Sequence, residues 1–260
     1  MEAAELGFFM FCASLVTTLF EYPNSPVRQA LPDHNLRRFL IGVCIGLIGA
    51  SIIYSPFGQR TGAHFNPAVT IAFYRLGKVK RQDALFYVIF QCIGGLVGIY
   101  GAAKLLNNAF TKPPVDYIVT QPVLQNQGPA FVTEVAISFV LMLIILLVSN
   151  SRNLSKYMGA MIGCLLCAYV YFTVPVSGFG MNPARSFASA FFAQSWMAFW
   201  LYVVAPVLGM LAAAEVHRLW FKGKGINCAK LDHNNKRPCI FCCSYKDGSA
   251  VILEDLIGKR

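Results

Sequence analysis

Six apolar runs, each about as long as a bilayer is thick, leave this chain few ways to fold. They cover about residues 4–22, 36–56, 84–106, 129–149, 157–175 and 196–219. A hydrocarbon core about 30 Å thick needs roughly 20 apolar residues per helix, and backbone polar groups inside it must be satisfied within the segment. Composition agrees. Of 260 residues, 56% are apolar and 13% charged, where soluble domains carry about a quarter charged. A disordered chain is excluded and a single soluble domain is disfavoured. The first run begins almost at Met1 with no small-residue cleavage site after it, so it reads as a retained span. Cys12, Cys44, Cys92, Cys164 and Cys167 lie inside these runs and read as small buried hydrophobes.

The charge is as uneven as the hydropathy. Segments 57–83, 150–156 and 217–260 hold 16 of the 22 Lys and Arg, including Arg75, Lys78, Lys80, Arg81 and Lys222. The other side holds Arg28, Arg37, Arg38, Lys104, Lys112 and Arg185. The positive-inside rule then puts both termini in the cytoplasm, and the net charge of +10 marks cytoplasmic loops, with no nucleic-acid partner expected. The triplet Asn153-Leu154-Ser155 faces the cytoplasm in this orientation and reads as chance.

Two connections are too apolar for solvent and too short to cross: GAHFNPAVTIAFYRL at 62–76 and GFGMNPARSFASAFF at 178–192. Each carries Asn-Pro-Ala followed by about nine helix-compatible residues. Asn caps a helix well, and Pro suits the first turn, where its missing N–H has no partner to lose. Each segment therefore reads as a short helix starting inside the membrane. The halves also echo each other. AAELGFFMF at 3–11 resembles VTEVAISFV at 132–140, and HFNPAVT at 64–70 resembles GMNPARS at 180–186. Three spans separate the copies, so the second half inserts upside down. Such inverted repeats place their site near the midplane, with the two half-helix N-termini meeting there. Gly42, Gly46, Gly94, Gly98, Gly159 and Gly163, at four-residue spacing, read as close helix contacts.

With its two Asn-Pro-Ala boxes in inverted halves, Arg185 three residues after Asn182, and a Glu in spans one and four (Glu5 and Glu134), the chain resembles the major intrinsic protein family, the aquaporins and aquaglyceroporins. The resemblance covers about residues 3–220. It implies an all-α bundle of six membrane helices and two half-helices, a pore in each subunit, and a homotetramer in the plasma membrane. On this reading residues 1–220 form the channel domain, with repeats at about 1–106 and 129–220, and 221–260 form a basic cytoplasmic tail.

The expected function is passive conduction of water, with hydrogen peroxide, ammonia, urea and glycerol as further candidates, and exclusion of protons and ions. Asn66, Pro67, Ala68, Asn182, Pro183 and Ala184 would line the pore centre. Arg185, one turn after Asn182, shares that face, and the first box has Val69 at the matching position. Counting from the boxes, the family's narrow filter falls on Arg185, Phe179, Val170 and Ile45, with Gly46 as the alternative register of the last. Strict water channels usually have an aromatic at Ile45 and His at Val170, so this wall is more aliphatic. Ser186, Ala190 and Tyr202 match the water-channel grouping, and Val203 does not. Glu5 and Glu134 would accept hydrogen bonds from backbone N–H groups near the boxes, and His64 would bond within the first loop. Read instead as proton-coupling groups, the two Glu would suit an inverted-repeat transporter. An enzyme finds no nucleophile–base pair, and no cofactor is expected.

The tail holds Cys228, His233, Cys239, Cys242 and Cys243. Thiolates with imidazole suit zinc, and Cys228, His233, Cys239 and Cys242 are the candidate ligands, although their spacing matches no common finger. The other reading is a basic membrane-facing tail with Cys242 or Cys243 open to acylation.

Overall fold

The computed structural model describes residues 1–123, 126–151, 153–220, 226–233, 235, 237, 239–241 and 243, and their regular structure is entirely helical. The spans are α1 (Glu2–Glu21), α2 (His34–Tyr54), α4 (Arg81–Leu106), α5 (Gln127–Ser149), α6 (Met158–Ser177) and α8 (Phe199–Trp220), and the half-helices are α3 (Pro67–Arg75) and α7 (Pro183–Ala193). All six spans are long and apolar enough to cross a membrane. Their ends lie within about three residues of those read from hydropathy.

Cap chemistry starts both half-helices as expected. Asn66 Oδ1 accepts from Ala68 N at 2.9 Å, and Asn182 Oδ1 accepts from Ala184 N at 3.1 Å and Arg185 N at 3.2 Å. Pro67 and Pro183 occupy the first helical positions. The half-helices stop where the backbone turns left-handed, near Gly77 (φ 70°) and at Gln194 (φ 50°).

Packing follows the repeat. In one half α1 lies along α4, in the other α5 lies along α8, and α2 crosses to α6 between them. Each half-helix lodges chiefly on the opposite half, α3 on α8 and α7 on α4, so neither half is complete alone. Along α4, Leu85, Phe86, Ile89, Phe90, Ile93, Val97 and Tyr100 stay exposed at helical spacing, as a lipid-facing stripe requires.

The α2–α6 crossing depends on glycine. A Cβ on Gly46 would collide with the Gly163 carbonyl, and one on Gly42 would stand 2.8 Å from the Cys167 carbonyl. Backbone cannot yield as a flexible side chain can. Gly46→Val should therefore destabilise the bundle by about 1–3 kcal/mol, the usual scale of overpacking. Gly101→Ala, which would make only ordinary contact with Phe11 at 3.5 Å, should be near neutral. Thermal unfolding in detergent checks this, and equal melting of the two variants would refute the tight crossing.

Candidate functional site

The loops entering the half-helices share one backbone form. Gly62, Ala63 and Phe65 have φ of 93°, 57° and 31°, and Gly178, Phe179 and Met181 have 77°, 58° and 53°. Left-handed non-glycine residues are strained by about 1–3 kcal/mol each and persist only where the surroundings hold them. The two Asn side chains do part of this. Asn66 Nδ2 donates to the Met181 carbonyl at 3.0 Å, and Asn182 Nδ2 donates to the Phe65 carbonyl at 2.7 Å. Each tip is thus laced to the loop before the other. A side-chain amide has two N–H donors. One is spent on the lacing, and both residues also border a common cavity of about 60 Å³.

Buried carboxylates hold the loops from behind. Glu134 accepts from Gly180 N at 2.8 Å, Met181 N at 2.6 Å and Ser177 Oγ at 2.7 Å. In the first half the matching residue is Glu2, which accepts from His64 N at 3.2 Å, Phe65 N at 2.8 Å and Gln91 Nε2 at 2.6 Å. This corrects the pairing of Glu5 with Glu134. Glu5 lies one turn further along α1 and accepts from Thr61 Oγ1 at 2.5 Å, at the start of the same loop. Both Glu residues share a face of α1, and only the helix's height beside the loop decides which carboxylate meets the two backbone donors.

A second cavity, about 330 Å³, lies beyond the first. Ile45, Val170, Phe179 and Arg185, the four filter positions counted from the sequence, all border it, and Phe179 and Arg185 border both cavities. Gly46, the alternative register, is spent on the contact with Gly163. Arg185 Nη1 is buried without a hydrogen-bond partner, as suits a donor facing the space between the cavities. Val69 borders the inner cavity on the first half-helix. Tyr202, in α8, donates to the Ser177 carbonyl at 2.5 Å and backs the second loop.

The tail also reaches the inner cavity. Leu231 borders the cavity together with Asn66, Asn182 and His64. His64 is more than a loop residue. Its Nε2 lies 2.8 Å from the Ala229 carbonyl, which can only accept, so Nε2 carries the proton. Nδ1 then accepts from Thr70 Oγ1 at 3.1 Å. The ring is stacked between Phe73, at 5.1 Å, and Phe241 of the tail, at 5.4 Å. Leu231 N donates to the Gly62 carbonyl at 3.2 Å, and Asn227 N to Asn150 Oδ1 at 2.8 Å. Ile226, Cys228, Ala229, Lys230, Leu231 and Asp232 are all buried. These residues therefore do not lie on a membrane surface, which corrects the membrane-facing reading for this part of the tail. Of the candidate tail ligands, Cys228, His233 and Cys239 converge, and Cys243 joins them. Cys242 lies outside the described residues.

Sequence reasoning missed Glu2, Gln91, Thr61, Leu231 and Phe241 as parts of this site. Glu2 carried a visible signal, a second acid at the head of an apolar span. The others carried none.

The family model described as "Major intrinsic protein" matches residues 6–217. The chain is 36% identical over 181 residues to a probable aquaporin NIP-type of Nicotiana alata, covering 68% of this chain and 65% of that protein. It is 34% identical over 179 residues to the probable aquaporin NIP4-2 of Arabidopsis thaliana, covering 68% and 61%. The chain thus spans somewhat less than two thirds of the length of these curated relatives. The solved aquaglyceroporin from Plasmodium falciparum superposes with a TM-score of 0.68 over 83% of this chain and 92% of its own, at 20% identity, which speaks for the fold.

Proposed function

The chain belongs to the major intrinsic protein family, and on that premise we propose that this multi-pass membrane protein is a passive channel for water that also admits small uncharged solutes and excludes protons and other ions. The observation that carries the reading is the reciprocal lacing of Asn66 and Asn182 across a shared cavity, with one N–H of each amide left for the lumen. Each half-helix end carries roughly +0.5 charge. A water between the tips accepts from both amides, and its own hydrogens then point outward along the file. With its lone pairs occupied it cannot relay a proton. The two helix ends and Arg185 add a repulsion that cations feel and neutral solutes do not.

Ile45, Val170, Phe179 and Arg185 supply the filter in this reading. Two aliphatic positions remove hydrogen-bonding groups from the wall and tolerate C–H surface, which supports passage of hydrogen peroxide, ammonia, urea or glycerol beside water. A transporter fits less well. Glu2 and Glu134 are occupied in holding backbone N–H groups and Glu5 in holding the Thr61 hydroxyl, which leaves all three poor gates for a coupled proton. The surplus of Lys and Arg on the tail's side supports cytoplasmic termini. Family membership supports a homotetramer with one pore in each subunit.

Stopped-flow light scattering on proteoliposomes tests the proposal. A step to higher external sucrose should shrink protein-containing vesicles faster than empty ones, linearly with the gradient and with low temperature dependence. Glycerol and urea gradients then rank the solutes. Shrinkage no faster than in empty vesicles, from folded protein, would refute the channel.

A further inference from the structure

The sulfurs of Cys228, Cys239 and Cys243 and a ring nitrogen of His233 all lie within 4.8 Å of one another. Ligands at about 2.3 Å around a tetrahedral zinc stand about 3.8 Å apart, so this cluster has the dimensions of such a site. Three sulfurs and one nitrogen select a soft, tetrahedral divalent ion of the zinc class. Charge agrees as well. A divalent ion with three thiolates and a neutral imidazole carries one net negative charge. The buried Lys230 ammonium lies within electrostatic reach of all three sulfurs and is held by Asn235 Oδ1 at 2.8 Å and the Arg237 carbonyl at 3.1 Å. The backbone of 226–233 forms neither helix nor strand. A buried, irregular segment needs a cross-link more than most, and metal binding supplies one.

The same segment seats Leu231 at the inner cavity and Ala229 on His64, and Phe241, further along the tail, stacks on the His64 ring. We propose that Cys228, His233, Cys239 and Cys243 bind one zinc-class ion, and that this ion fastens the tail across the mouth of the pore. The loaded channel is then throttled at Leu231, and loss of the metal opens it. The metal site stands on the cluster itself, and the throttling rests on the channel reading above.

The test uses the full chain. Purified protein equilibrated with Zn²⁺ and desalted should hold one equivalent by elemental analysis, and Co²⁺ alone should give the visible absorption of tetrahedral cobalt–thiolate. Cys239→Ser should lose most of both, whereas Cys164→Ser, exposed on α6, should keep them. In proteoliposomes a membrane-permeant chelator should raise water permeability severalfold, reversibly with Zn²⁺. Cys239→Ser should already be fast and ignore the chelator. Leu231→Ala should keep its zinc and still conduct fast, which separates the throttle from mere loss of folding. Sub-stoichiometric metal without the cobalt spectrum overturns the site, as does a Cys228–Cys239 disulfide in its place, since those sulfurs already lie 3.2 Å apart. Full zinc with permeability indifferent to the chelator and to Leu231→Ala overturns the throttle. If no form conducts water, the channel reading fails, while zinc content and the cobalt spectrum still decide the site.

Discussion

Replacing Arg185 with valine should raise cation and proton leak by up to about a thousandfold while water still passes. A cation about 4 Å from a unit charge at an effective dielectric near 20 meets about 4 kcal/mol. At about 1.4 kcal/mol per factor of ten, removing that charge is worth close to three decades of flux. The variant puts valine where the first half-helix already has Val69, so both tips then present the same apolar residue to the file. The helix ends still repel cations after the change, so the measured gain should fall below the full figure. Arg185 Nη1 forms no hydrogen bond within the protein, but the guanidinium also faces the Glu134 carboxylate electrostatically, so melting of the variant in detergent accompanies the leak measurement. Proteoliposomes carrying an internal pH dye, clamped with a potassium gradient, report the leak directly. Conductance equal to that of the unchanged protein would remove Arg185 from the filter.

Glu2→Ala and Glu134→Ala should each destabilise the protein by several kcal/mol and abolish water conduction, whereas Glu5→Ala should cost about 1 kcal/mol. Each of the first two strands two backbone N–H groups in strained loops, while the third donors, Gln91 Nε2 and Ser177 Oγ, keep Thr70 Oγ1 at 3.2 Å and the Thr173 carbonyl at 3.4 Å. A buried donor left without its acceptor costs about 1–3 kcal/mol. Glu5 holds the Thr61 hydroxyl, which has the Phe57 carbonyl at 3.2 Å to fall back on. Glutamine at position 2 or 134 should fall between, because its amide keeps one acceptor and turns a donor toward a donor. Melting in detergent and water permeability should move together. If Glu5→Ala matches Glu2→Ala in both, the assignment of Glu2 to the loop is wrong.

These two predictions differ in how visible their residues were beforehand. Arg185 follows from its offset in the second box, because residues three apart on a helix share a face. Ile45, Val170 and Phe179, the positions counted from the boxes, border one cavity, and Gly46 packs on Gly163. Glu2 against Glu5 was not decidable that way. Both are acids on one face of α1, and the answer depends on where the first loop crosses that helix. Cys243 escaped for a related reason. The spacing from Cys239 to Cys242 looks like a ligand pair, but Cys243 is the sulfur placed with Cys228 and His233. Leu231 and Phe241 sit in a polar stretch without periodicity, where no local pattern says that the chain turns back to His64.

From residues alone come the six spans, the two capped half-helices and their inverted relation. Apolar length, Asn at a cap and Pro in a first turn act over a few neighbouring residues, so the linear order suffices to read them. Only the tertiary structure decided which acid holds which loop, how the two amides cross, and that the tail closes on the inner cavity. Those are meetings between groups far apart in sequence, brought together only by the packing of helices and loops on one another, so no local pattern encodes them.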